Sequence, residues 1–71
     1  MDSIMIGRRL RKLRGERSRG IVAKAIGISI SALGMYETGD RIPKDEIKIK
    51  LANYYGQSVE VIFFAGQCHE M

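Results

Sequence analysis

The chain has 71 residues, 45% of them hydrophobic, with one Cys and a net charge of +4. This is enough for one small domain and one core; it excludes an internal disulfide and a four-ligand metal cluster, so no metal or cofactor is expected. The longest apolar run, Val61 to Ala65, is far below the ~20 residues that cross a membrane, and no basic start followed by an apolar stretch suggests a signal peptide, so the expected location is the cytoplasm.

The first segment, about Ile4 to Arg14, has Ile6, Leu10 and Leu13 at i, i+4 and i+7, which is one buried helical stripe. Arginines fill its other face, Asp2 or Ser3 supplies a cap, and Gly15 ends it. The second, about Arg19 to Ile26, starts after the N-cap candidate Ser18, carries Val22, Ala23 and Ile26 on one face, and stops at Gly27. Gly20 weakens its front end by about 1 kcal/mol relative to Ala. The third spans about residues 30–37: Ser29 caps it, Leu33 and Tyr36 form an apolar pair, and Gly39 and Pro43 forbid its continuation.

A fourth segment, about Asp45 to Tyr55, places Asp45 and Glu46 at the positive end of the helix dipole. Its apolar face is Ile47, Leu51, Ala52 and Tyr55, so the brief alternation in "IKIKL" lies inside a helical pattern. Gly56 closes it, Ser58 caps a short fifth helix from Val59 to Phe64, and residues 65–71 form a flexible tail. The fold class is all-α, with a domain over residues 1–64.

Charge is uneven along the chain. Arg8, Arg9, Arg11, Lys12, Arg14, Arg17, Arg19 and Lys24 meet only Asp2 and Glu16 in the first third. Such asymmetry points to a polyanion, either nucleic acid or an anionic lipid surface, although basic residues of a first helix are more often simply solvated. Enzymatic activity is not expected: the single His69 adjoins Cys68 in the tail, where no rigid element orients the two for nucleophilic catalysis.

The second and third segments are joined by Gly27, Ile28 and Ser29. A Gly lets one residue leave the right-handed helical region, and a small Ala23 suits a close helix crossing. On spacing alone the pair is either a helix-turn-helix or a plain helical hairpin. The stretch "SRGIVAKAIGISISALGMYETGDRIP", residues 18–43, resembles the helix-turn-helix of the Xre family, the phage lambda-repressor-like and Cro-like DNA-binding domains. The matching residues are Ser18, Val22, Ala23, Gly27, Ile28, Ser29, Leu33, Tyr36, Glu37, Gly39, Arg41 and Pro43. The stretches "IGRRLRKLR" and "IKLANYYGQSVEVIFF" resemble the family's first, fourth and fifth helices, so the likeness covers about residues 4–64. The chain departs from the pattern in a loop before Ser18 about two residues shorter, in Arg19 where Gln is common, in Gly20 and Ile21 where acidic residues are usual, and in Thr38 for Asn.

The resemblance implies a five-helix lambda-repressor-like domain whose third helix enters the major groove while the second crosses above it. It implies that Ile30 and Ser31 face base edges, with Gly34 and Met35 one turn later. Arg19, Ser29, Thr38, Arg41 and Lys44 become phosphate contacts, with Arg19 also the strongest polar contact to bases. Arg14 is expected to pair with Glu37, and Ala23, Gly27, Leu33, Tyr36 and Gly39 to be scaffold. The implied function is a sequence-specific regulator of transcription, a repressor of phage or mobile-element type, located at the nucleoid and binding double-stranded DNA as a homodimer. Ile62, Phe63 and Phe64 are the expected dimer interface. The reading face lacks amide and guanidinium forks, so thymine methyl contacts are the expected direct readout. The alternative is an antitoxin or antirepressor that uses the same fold to bind a protein partner. A membrane-surface role for the first helix is disfavoured because its three-residue apolar stripe is needed by the core.

Overall fold

The computed structural model describes residues 2–65. It contains helices α1 (Ser3–Arg14), α2 (Arg19–Ile26), α3 (Ile30–Thr38) and α4 (Asp45–Tyr55), followed by a π-helical turn, Glu60–Phe64. No strand occurs among the described residues. Apart from Ala65, the expected tail with Cys68 and His69 lies outside them.

Caps set the helix boundaries. The Asp2 carboxylate accepts from the Ile4 and Met5 amides, so Asp2 and not Ser3 caps α1. Ser18 and Ser29 cap α2 and α3 through bonds from the Ile21 and Ala32 amides, at 3.1 and 3.0 Å. Gly27 and Gly39 end those two helices in the left-handed region, each at φ 89°, a conformation that would strain any other residue.

Leu10, Val22, Leu33, Leu51, Ile62 and Phe63 are the centre of the core, with Ile6, Ala23, Ile26, Tyr36 and Ala52 around them. Each large apolar side chain removed from water contributes about 1.5–3 kcal/mol. Every helix supplies a stripe to this one cluster, and α1 lies closest against α3.

That close approach depends on Gly7. A β-carbon there would clash with the Glu37 carbonyl group and lie 2.8 Å from the Tyr36 carbonyl oxygen. Glycine inside a helix costs about 1 kcal/mol relative to alanine, and here it allows two backbones to touch. At the other end of the contact, Gly39 packs against Ile4, with a β-carbon position 3.2 Å from the Ile4 Cα.

The terminal helix begins at Val59 as expected, with the Ser58 hydroxyl accepting from the Val61 amide at 3.1 Å, but from Glu60 onward it winds more widely. Arg9 of α1, expected to be solvated, donates from Nη1 to the Ile62 carbonyl at 2.9 Å and from Nη2 to the Ala65 carbonyl at 3.0 Å. These two carbonyls are bonded across to α1, which ties the terminal turn to the start of the chain. Ile62 and Phe63, expected at a subunit interface, are each only 1% exposed. That expectation is corrected: both complete the core of their own chain and have no surface left for a partner. Phe64 is half-buried beside the ammonium of Lys48, which sits 5.3 Å from its ring centroid and 5.9 Å from that of Phe63.

Arg17 holds the α1–α2 connection to α4. Its Nε and Nη2 donate to the Arg14 and Leu13 carbonyls, and its guanidinium lies 5.4 and 5.2 Å from the Tyr54 and Tyr55 ring centroids. The buried Tyr55 hydroxyl has no hydrogen-bond partner among the described residues. Burial first, and the Glu37 carboxylate second, push its pKa up to about 12 from an ordinary 10.0.

Two measurements follow from these contacts. Gly7→Ala is expected to cost about 1–3 kcal/mol in urea unfolding, because the added methyl meets backbone atoms that cannot rotate away. A gain in stability, as at a free helical glycine, would refute the close approach. Tyr55 holds its proton more tightly folded than unfolded. Its stabilising contribution is therefore complete below pH 10.0 and is lost as pH rises through about 12. Tyr55→Phe is expected to flatten this alkaline decline in melting temperature, and at neutral pH to leave stability unchanged or raised by ~1 kcal/mol.

Candidate nucleic-acid interface

Helices α2 and α3 meet at 107° around Gly27, Ile28 and Ser29. A turn this tight fits the crossing range of helix-turn-helix units. Ala23 sits at the crossing, 1% exposed, and the Ala23 carbonyl accepts from both the Gly27 and Ile28 amides at 2.8 and 3.0 Å. Leu33 and Tyr36 point from α3 into the core.

The opposite side of α3 is open. Ile30, Ser31 and Thr38 are exposed, while Gly34 and Met35 are half-buried. The Ser29 hydroxyl is occupied as acceptor of the Ala32 amide and remains exposed. The Thr38 hydroxyl donates to the Met35 carbonyl at 3.3 Å, turning back toward its own helix. That same carbonyl accepts from the amides of Gly39, Asp40 and Arg41, so Arg41 is fixed directly at the end of α3. The side chains of Arg41 and Lys44 are exposed and make no hydrogen bond among the described residues.

A buried carboxylate joins α1, α2 and α3. Arg14 donates from Nε to Glu37 Oε2 at 2.7 Å and from Nη2 to Oε1 at 3.0 Å. Its third nitrogen donates to the Arg17 carbonyl at 2.7 Å, securing the shortened loop as well. Arg19 donates from Nε to Glu37 Oε1 at 3.1 Å. The Glu37 side chain is 1% exposed, that of Arg14 14% and that of Arg19 41%. The hydrogen bonds to Glu37 raise the pKa of Arg14 above its ordinary value.

Arg19 therefore belongs to two settings, a buried ion pair and the open surface. A β-carbon on Gly34 would stand 3.8 Å from Arg19 Nη1, and one on Gly20 would stand 3.6 Å from Ile30 Cδ1. The start of α2 thus lies over the stripe Ile30, Gly34 and Glu37, which are one helical turn apart. The structure brings Arg19 against Gly34 and Gly20 against Ile30, and places Arg41 and Lys44 beyond the C-terminal end of α3. One apolar residue at this end escaped sequence reasoning: Ile21 is 60% exposed, as much as Ile30 at 58%. Its signal was its place, a β-branched residue where the likeness called for an acid.

A family model described as a helix-turn-helix domain matches residues 6–62. The chain is 46% identical over 50 residues to the "Uncharacterized HTH-type transcriptional regulator YazB" of Bacillus subtilis (strain 168), a match that covers 66% of this chain and 71% of that protein. No solved structure matches.

The ion cluster predicts an order of effects in urea unfolding. Glu37→Gln leaves Arg14 without a counter-charge in a site only 14% exposed and is expected to cost about 3 kcal/mol. Arg14→Met is expected to cost a similar amount, because it strips two bonds from a buried carboxylate. Arg19→Met is expected to cost under ~1 kcal/mol, because that side chain is largely solvated. A larger loss for Arg19→Met than for Arg14→Met would overturn this division of roles.

Proposed function

The chain belongs to the helix-turn-helix domain family, and on that premise we propose that it is a DNA-binding regulator of transcription. The reading is of the lambda-repressor-like type: α3 enters the major groove of double-stranded DNA, and α2 lies across it. The observation that carries it is the 107° crossing of α2 and α3, with Ile30, Ser31 and Thr38 exposed on the outer face of α3, Arg19 lying over its middle at Gly34, and Arg41 and Lys44 exposed beyond its C-terminal end.

Affinity arises mainly from phosphates. Arg41 and Lys44 supply free charge, and the first-turn amides of α2 add donors at a helix start. Direct readout by α3 itself is sparse. Ser31 accepts or donates and so discriminates poorly, while Ile30 offers apolar surface to a thymine methyl. The exposed Ile21 extends that apolar edge.

A single module of this size binds DNA weakly, so the proposed species on DNA is a homodimer with its α3 helices about 34 Å apart, one turn of the duplex. With Ile62 and Phe63 withdrawn into the core, the exposed Val61 and half-buried Phe64 are what the terminal turn offers to a second copy. A repressor of phage or mobile-element type is the proposed regulatory class. The second reading, a protein-binding antitoxin or antirepressor, draws on Ile21 and Ile30, two large exposed apolar side chains at the front of the helix pair.

Salt titration separates the two. A dimer neutralising about four phosphates, through Arg41 and Lys44 of each copy, has a log–log slope of roughly −4 for its DNA association constant. The purified protein is expected to show that slope in a mobility-shift or anisotropy titration on random-sequence duplex DNA. A slope near zero, together with stoichiometric co-purification of a second protein, would favour the protein-binding reading.

A further inference from the structure

We infer that Arg19, a residue of α2, is the specificity-determining residue of this interface, presenting through the gap at Gly34 a two-nitrogen fork that reads guanine in the major groove. The inference rests on the DNA-binding reading above and deepens it. It starts from a deficit: Ile30, Ser31, Gly34, Met35 and Thr38 on the open side of α3 include no amide and no guanidinium. A helix so equipped distinguishes base pairs poorly.

The guanidinium of Arg19 makes up that deficit from the neighbouring helix. Its Nη1 lies 3.8 Å from the point where a Gly34 β-carbon would stand, so it rests on the surface of α3 at mid-helix. Its Nε donates inward to Glu37 Oε1 at 3.1 Å. Glu37 is itself immobilised by the two bonds from Arg14. With Nε committed to Glu37, the Nη1–Nη2 edge is left, neither nitrogen makes a hydrogen bond among the described residues, and the side chain is 41% exposed. Two parallel N–H donors match O6 and N7 of guanine, both acceptors; adenine offers N7 beside a donor amino group and rejects the second N–H.

The anchoring matters for energy as well as direction. A free arginine loses much rotamer freedom on binding, whereas one already bonded through Nε has lost part of it before contact. A phosphate contact would need charge at the margin of the helix pair and no fixed orientation. Gly34 is the complementary requirement. A methyl at 3.8 Å is an ordinary contact, but a branched side chain there would lift the fork away.

The test is selection from randomised duplex DNA with the full chain as wild type, Arg19→Lys, Gly34→Ala and Gly34→Ile, each checked for folding by urea unfolding. Wild type and Gly34→Ala are expected to enrich a guanine at one position in each half-site. Arg19→Lys and Gly34→Ile are expected to lose discrimination there by roughly tenfold or more, with other positions unchanged. Replacing that guanine by 7-deazaguanine, which lacks the N7 acceptor, is expected to weaken the wild type about tenfold and Arg19→Lys little. This arm needs no variant for the effect on wild type. Equal weakening on all sequences by Arg19→Lys, with an unchanged preference, would make Arg19 a phosphate contact and overturn the inference. Wild-type protein that enriches no DNA at any salt concentration would overturn the DNA-binding reading itself, and this inference with it.

Discussion

The buried carboxylate of Glu37 is the constraint around which the fold is arranged. A charge at 1% exposure is stable only with close partners of opposite sign. Arg14 and Arg19 meet that demand from two different helices, and in doing so they fix the position of α3 relative to α1 and α2. The same demand explains the Arg14 bond to the Arg17 carbonyl, which ties the short α1–α2 loop into the cluster. Tyr55 also lies within reach of this charge, as the rise in its pKa records.

Half of the cations in the first third of the chain are engaged within the molecule. Arg9 binds the carbonyls of the terminal turn, Arg14 and Arg19 the carboxylate of Glu37, and Arg17 the end of α1 and two tyrosine rings. Arg8, Arg11, Lys12 and Lys24 are exposed and make no side-chain hydrogen bond among the described residues. The excess of positive charge is therefore a poor measure of affinity for a polyanion here. The useful cations are fewer: Arg19 over the middle of α3, and Arg41 and Lys44 beyond its C-terminal end. Geometry, not net charge, separates an arginine that holds the fold from one that is offered to a ligand.

Backbone contact between α1 and α3 at Gly7 gives the molecule a further fixed point. Together with the ion cluster it leaves little freedom for α3 to shift, so the open face is presented as a rigid surface. A rigid helix with a small-residue gap, covered by an anchored arginine from its neighbour, is a way to assemble a reading surface from two helices where one carries almost no polar groups. The proposed readout follows from this division of labour.

Much of this was legible in the chain itself. The apolar stripes, the serines before α2 and α3, and the glycines after them determine the helices, because capping and periodicity are local properties. The arginine–glutamate pair was reached through likeness to a family, not through spacing. Other features required the tertiary structure. Gly7 looks like any weak helical residue until a second backbone is brought against it. Arg9 and Arg17 look like solvated charge until carbonyls more than a helix away, or a tyrosine pair, come into reach. Ile62 and Phe63 look like spare apolar surface until the core is seen to need them. Local order was determined by sequence alone, since it depends on neighbours a few bonds away. Which charges and apolar groups remain available to a partner was decided only by tertiary packing, because burial and pairing are properties of residues far apart in the chain.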